Sequence, residues 1–402
     1  MKNNIYMISR DDELSKKYNE IAKGLKYNIF FITRTFIDSI DNKQIIITDF
    51  SEGWISDVEK RLELGKHFVF TLEENLLSYA NHLAEYFGTE LCVDMSIFVD
   101  KKKMKKFFLE NDINTPIGKP FGYNKYDDID LKFPFIIKPI KGAASLGVRL
   151  IDDNEQLNDQ IKKIALLNKL VLNDSGNEFM VEEYIAGEEY SVDLLWLNGK
   201  VIDSIVAFKG EIKGPTFYDR GYYIMNDKTA VYKRLVDFSQ LIGEKMGAKH
   251  GCTHTEIKIF KDKLYCIETT MRPGGGGILL ELSSDKNNDF EKFFLQCIAN
   301  EVPNVARVTR ESKHIYWFNT PFWFALPKYR SELEILKEKF NMQVEVRSYI
   351  NENVDENKEE FTLGYKNVLI CHSSENSEMN DFVKQFNEAF NHIKKEQTYE
   401  IS

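Results

Sequence analysis

The sequence predicts a multidomain protein of mixed α/β and α+β class: an N-terminal parallel α/β unit, a core of two α+β subdomains and a small C-terminal α/β unit. Three observations predict it. Four short apolar, β-rich runs near the N-terminus alternate with helix-compatible stretches, as in a parallel layer. From Phe133 onward the texture changes to paired strands, with Asn198-Gly199, the strongest short hairpin signal, between two β-like runs. The 402 residues, at about 150 per domain, allow two or three domains with full hydrophobic cores.

The N-terminal runs are NIYMIS (4–9), NIFFIT (28–33), IIITD (45–49) and HFVFT (67–71), and they place a first unit at 1–97. No G-x-G-x-x-G follows the first run, so a dinucleotide site is not expected there. The segment 100–113 (DKKKMKKFFLENDI) reads as one helix ending before Pro116 and opens a core spanning 98–310. Within the core, a lid subdomain of about 117–190 contains FPFIIKP, a glycine loop and GVRLI, and the hairpin at 198–199 follows. The C-terminal unit, 311–402, has strand candidates at 343–350 and 367–371 and a closing amphipathic helix at 379–395.

Composition narrows the function. With 53 basic against 63 acidic residues the chain carries −10, and no Lys/Arg stripe has interleaved aromatics, so neither nucleic acid nor an anionic membrane is an expected partner. No apolar run approaches the roughly 20 residues of a membrane span, and the N-terminus turns acidic before a signal-peptide core could form. The five cysteines contain no C-x-x-C pair, as expected of reduced thiols in a cytoplasmic protein. Small molecules are the expected partners, and a homodimer is compatible with everything above.

The chemistry concentrates in three segments. In HTEIKIFKDKLYCIETTMR (254–272), a turn centred on Asp262 would oppose Phe260 with Leu264, Lys258 with Cys266 and Glu256 with Glu268. Alternation then puts His254, Glu256, Glu268, Thr270 and Arg272 on one face, with Tyr265 and Ile267 on the other. Opposed glutamates repel, so a cation is expected between them, and Mg²⁺ with phosphate oxygens is the economical one. The competing reading is a solvated strand face, or a bulge that slips the register. His250, Cys252 and His254 lack the spacing of a structural zinc site.

In FPFIIKPIKGAASLGVRL (133–150), Gly142 and Gly147 have P-loop spacing, but Val148-Arg149 stand where Lys and Ser/Thr are required, which excludes a Walker site. There remains a small-residue loop able to cradle phosphates through its N–H groups, with Lys141 at its mouth. Lys138, in an apolar strand, needs a partner. In FMVEEYIAGEEYSV (179–192), Glu182 and Glu183 precede a turn at Gly187. Backbone groups of Glu183, Tyr184 and Ile185 could face an adenine edge and Glu189 a ribose.

Taken in order, Asp100-Lys101, FIIKP, the glycine loop, VEEYIAGEE and TEIKIF…CIETTMRPGGG resemble the ATP-grasp superfamily over roughly residues 98–280, and the unit before them resembles the domain preceding such a core. The resemblance implies an ATP-dependent carboxylate–amine ligase with Mg²⁺ (or Mn²⁺) that works through an acyl phosphate and joins small-molecule substrates, amino acids among them. It implies that Lys101 and Lys138 contact phosphates, that the loop of Lys141, Gly142, Ser145 and Gly147 closes over them, and that Glu182, Tyr184 and Ile185 meet adenine while Glu189 meets ribose. It further implies that Glu256 and Glu268 carry the metal with Thr270, where the family usually has Asn, and that Arg272 faces developing negative charge. Lys209, or nearby Lys213, is implied as a further phosphate-binding lysine. The run THTEIK and the loop 214–221, with Asp219 and Arg220, look like the bacilysin-type branch of L-amino acid α-ligases; Tyr222 departs from that branch's usual histidine. Phosphoribosylamine ligases, ATP-grasp carboxylases and a non-catalytic nucleotide-binding regulator are the competing classes.

Overall fold

The computed structural model describes residues 2–10, 12–38, 40–123, 129–142, 145, 147–170, 178–210, 221–275, 290–303, 313–319, 327–340, 344–347, 368–373 and several positions between 377 and 388. The N-terminal unit is a four-stranded parallel sheet of β1 (Asn3–Ile8), β2 (Asn28–Thr33), β3 (Ile45–Ile47) and β4 (Lys66–Phe70) in the order β3-β2-β1-β4. Both faces are covered, which is why its strands read as continuous apolar runs. Tyr6 and Ile8 join one core with Phe30 and Val69, while Ile5 and Met7 join the other with Phe31 and Phe70.

Helices α1 (Asp12–Leu25), α2 (Ile55–Glu59) and α3 (Leu77–Phe87) belong to this unit, and α4 (Ser96–Val99) leads out of it. The following α5 (Lys101–Glu110) starts where Asp100 caps it, accepting from the N–H groups of Lys102 and Lys103. That cap sets Lys101 at the first turn, with Lys105 one turn later on the same side of the helix.

Strands β5 (Gly118–Gly122), β6 (Phe135–Pro139), β7 (Arg149–Ile151) and β8 (Glu178–Glu183) form an antiparallel sheet ordered β5-β8-β6-β7, packed on α6 (Asn154–Leu170). Its core, from Phe121 and Phe135 to Ile164 and Val181, is separate from the rest of the molecule. The largest sheet has eight strands. Its first half is β13 (Lys263–Thr270), β12 (Gly251–Phe260), β9 (Glu188–Leu197) and β10 (Lys200–Gly210), backed by α7 (Ala230–Lys245) and the helix Phe290–Ile298. β11 (Gly221–Ile224) then continues into β14 (Lys313–Asn319), β16 (Val368–Ser373) and β15 (Val344–Arg347), so the described strands beyond residue 310 extend the central sheet. The 198–199 hairpin is as expected: Asn198 and Gly199 both have positive φ, 51° and 71°, joining β9 to β10.

The β12–β13 hairpin differs from expectation in its register. The turn has two residues, Lys261 and Asp262, both at positive φ (49° and 61°), so Phe260 pairs with Lys263, Ile257 with Cys266 and Lys258 with Tyr265. A bulge at Ile267 absorbs one residue, and beyond it Glu256 does face Glu268 and His254 faces Thr270. Tyr265 therefore lies opposite Lys258, while Cys266 turns into the core.

Candidate active site

The predicted residues converge between the small antiparallel sheet, the N-terminal turn of α5 and the β9–β12–β13 face. Glu182, on β8, is almost wholly buried and splits its carboxylate between two lysines: Lys105 Nζ at 2.8 Å and Lys138 Nζ at 2.6 Å. Lys138 thus has the partner that its place in an apolar strand demanded. Burial alone would raise the Glu182 carboxyl, but the two ammonium groups overcome it and hold it at about 2. Burial acts the other way on Lys105, whose ammonium is lowered despite Glu182; Lys105 also donates to Thr115 Oγ1 and the Pro116 carbonyl. Both oxygens of Glu182, the residue expected beside adenine with Tyr184 and Ile185, thus face ammonium groups.

The opposed pair is neutralised in the same manner. Lys101 Nζ donates to Glu268 at 2.7 Å and to the Gly142 carbonyl at 2.8 Å, tying α5 to the glycine loop. Lys209 Nζ lies 2.6 Å from Glu256 and 3.3 Å from Glu189, and over the ring of Tyr222 at 5.8 Å. Burial would raise Glu256, but Lys209 first and then His254 bring it down to about 2. Lys258 approaches Glu189 at 3.6 Å, donates to the Ile185 carbonyl at 3.3 Å and stacks over Tyr184 at 5.3 Å. In the glycine loop, Ser145 and Gly147 both adopt positive φ, and the Ser145 carbonyl accepts from Val148 N–H. Lys141 at its mouth is exposed.

Five lysines (101, 105, 138, 209 and 258) therefore meet four carboxylates (182, 189, 256 and 268), a balance of +1 before any ligand binds. Ammonium groups in such a cluster can bind phosphate oxygens in exchange for their carboxylate partners. Among the described residues no group of three or more His, Cys, Asp or Glu is arranged as a metal cage. Glu256 and Glu268 are the two carboxylates that could hold Mg²⁺, an ion that usually takes one or two and completes its shell with water and phosphate. Thr270 donates its hydroxyl proton to Glu74 Oε2 at 2.8 Å, leaving its lone pairs for a cation.

Arg272 is the point at which the N-terminal unit enters the site. Its Nε bonds the same Glu74 oxygen at 2.8 Å and its Nη1 donates to the Pro273 carbonyl at 2.8 Å. Glu74 lies just past the end of β4, and no local signal marks it, because its partners are 196 and 198 positions away. Lys105 and Lys258 were also missed, although each had a trace: Lys105 is one helical turn from Lys101, and Lys258 is two residues from Glu256 on the same strand face. Lys213, Asp219 and Arg220 lie outside the described residues.

An antiparallel sheet with its own core, a lysine–carboxylate cluster and a twin-glutamate hairpin thus meet in one place. Residues 131–280 match the family model described as ATP-grasp domain, so this stretch of the chain is an ATP-grasp domain. It is similar to a D-alanine–D-alanine ligase of Pelagibacter ubique, 30% identical over 218 residues, which covers 49% of this chain and 66% of that protein. It is also similar to a 3-methyl-D-ornithine–L-lysine ligase of Methanosarcina acetivorans, 26% identical over 166 residues, or 38% and 39% of the two chains. The chain thus spans no more than about two thirds of the length of either curated relative. The crystal structure of an L-amino acid ligase from Bacillus licheniformis shares the fold across 96% of this chain and 97% of its own, with a TM-score of 0.73 at 18% identity.

Proposed function

We propose that this protein is an ATP-dependent carboxylate–amine ligase that joins amino acids or close analogues through an acyl phosphate, in the manner of the L-amino acid α-ligase branch. The observation that carries the reading is the opposed pair Glu256–Glu268 inside a cluster of five lysines, with Arg272 at the far end. Phosphoryl transfer asks a protein for positioning and charge neutralisation more than for a side-chain nucleophile. Lys101, Lys138 and Lys209 bind phosphate oxygens, Glu256 and Glu268 hold Mg²⁺, and Mg²⁺ when bound neutralises and aligns the phosphates. Arg272, a permanent cation, stabilises charge on the transferred phosphoryl and on the tetrahedral adduct that the amine forms.

The sheet β5–β8 with α6 has its own core, so it is the part that closes over the nucleotide. Amino acids suit the far end of the cleft because Glu74 and Arg272 present an anion and a cation 2.8 Å apart, complementary to an ammonium and a carboxylate. Their position also fits: it lies beyond the carboxyl end of β4, beside β1, where the order of the parallel sheet reverses and such sheets open a crevice.

The test is phosphate release from Mg·ATP against single and paired amino acids, with mass spectrometry of the products. Release that requires a pair, with a product mass equal to their condensation, supports the reading. ATP binding without release for any pair removes the amino-acid assignment.

A further inference from the structure

Asp193, on β9, is a buried acid that the proposed reaction leaves without a task. Its Oδ2 lies 3.0 Å from His254 Nδ1, and its Oδ1 accepts from the backbone N–H of Gly274 at 2.6 Å. The carbonyl of that same peptide unit, Pro273 C=O, accepts from Arg272 Nη1 at 2.8 Å. A planar trans peptide points its N–H and C=O in opposite directions, so a group that fixes one fixes the other. Gly274 is fitted to this arrangement, because a Cβ there would come within 2.6 Å of His254 Nδ1 and 3.2 Å of Asp193 Oδ2.

We propose that Asp193 is a positioning residue that aims the Arg272 guanidinium through the Pro273–Gly274 peptide, with His254 packed beneath as the surface on which that peptide rests. This rests on the ligase reading in assuming that Arg272 meets the substrate. The chain of bonds runs from the central sheet at Asp193, through one peptide plane and Arg272, to Glu74 in the N-terminal unit. Removing the carboxylate leaves the peptide free to rotate, and with it the guanidinium, while the phosphate-binding lysines keep their own partners.

The test compares Asp193→Ala with Asp193→Asn, which retains an oxygen for the Gly274 N–H. Asp193→Ala should lower kcat/KM for the amino-acid substrate by about 10- to 100-fold, the effect of a small misplacement in a reacting site, with Mg·ATP affinity unchanged. Asp193→Asn should recover most of the loss. In an Arg272→Ala background, Asp193→Ala should add no more than about twofold, since the two act as one unit. Losses that multiply in the double variant, or an Asn variant as poor as the Ala variant, overturn the proposal. Should Asp193→Ala fail to fold, Gly274→Ala displaces the same peptide from the loop side and must give the same kinetic pattern. Amide hydrogen exchange at Gly274 reads the bond without any substrate: faster exchange in Asp193→Ala and protection in Asp193→Asn are expected, and unchanged exchange overturns the proposal. A wild-type protein with no substrate-stimulated ADP release defeats the ligase reading instead, and the exchange result still decides whether Asp193 holds the peptide.

Discussion

Glu182 shows how individual residues here trade stability for readiness. One carboxylate is shared by two buried lysines, and losing it would leave both uncompensated, at a cost of about 3–5 kcal/mol for breaking such a buried pair. Its carboxyl is held at about 2 against an ordinary value of 4.5, so the folded state favours the ionised form. The stabilisation is therefore complete above pH 4.5 and is lost as pH falls toward the folded value. Melting temperatures of wild type and Glu182→Gln should differ by a constant amount from pH 6 to 8 and converge as the pH drops below 4.5; a gap that widens in acid would contradict this. Glu268 has a different task. Its partner Lys101 keeps a second acceptor in the Gly142 carbonyl, so Glu268→Gln should melt close to wild type. Turnover of Mg·ATP should nevertheless fall by at least about 100-fold, as when a preorganised charge is removed from a reacting centre, and a normal rate in steady-state assays would refute the metal assignment.

At the scale of elements, Gly187 joins β8 to β9 and so spaces Ile185 from Glu189. It sits at φ 151°, and a Cβ there would lie 2.2 Å from the Ile259 carbonyl oxygen of β12. Gly187→Ala should push this turn off β12 with about 1–3 kcal/mol of strain, measurable as weaker ATP binding in a fluorescence or calorimetric titration; unchanged affinity would mean the turn does not set the nucleotide pocket. How much of the site was legible follows the same local logic. Lys138 was legible because a charge in FIIKP demands burial with a partner, and the shared face of His254 and Glu256 because strand alternation is a strict period of two. The register near the turn was not, since Lys261-Asp262 closes it in two residues and Ile267 then bulges, and two compensating departures leave the endpoint unchanged. Glu74 and Asp193 were illegible for a plainer reason: nothing in their neighbours specifies that the end of β4 and the middle of β9 lie beside a loop that follows β13.

For the whole molecule, the question is what joins the N-terminal sheet to the ATP-grasp core. One hydrophobic core runs through both, from Ile5, Met7 and Phe70 to Trp196 and Phe294, with Tyr18 and Phe70 each meeting Phe294 edge-on. Polar ties lie at its margins: Lys17 with Glu291, Tyr27 and Asn3 with Glu301, and Glu74 with Thr270 and Arg272. The first two lie away from the lysine cluster and serve cohesion, whereas Glu74 bonds residues of the site itself. Removing its charge should therefore leave the joint intact, because the apolar core is untouched, while altering what Arg272 and Thr270 face. Glu74→Gln keeps an oxygen for both donors but can no longer attract an ammonium. Its melting temperature and Mg·ATP affinity should match wild type, and KM for the amino-acid substrate should rise by about 10- to 100-fold, the worth of a charge-assisted hydrogen bond of 1.5–3 kcal/mol. A des-amino analogue of the carboxylate substrate, which has no ammonium to lose, should be used equally well or poorly by both proteins. If instead Glu74→Gln melts several degrees lower with substrate constants unchanged, Glu74 belongs with the joints and the N-terminal sheet contributes shape, not recognition.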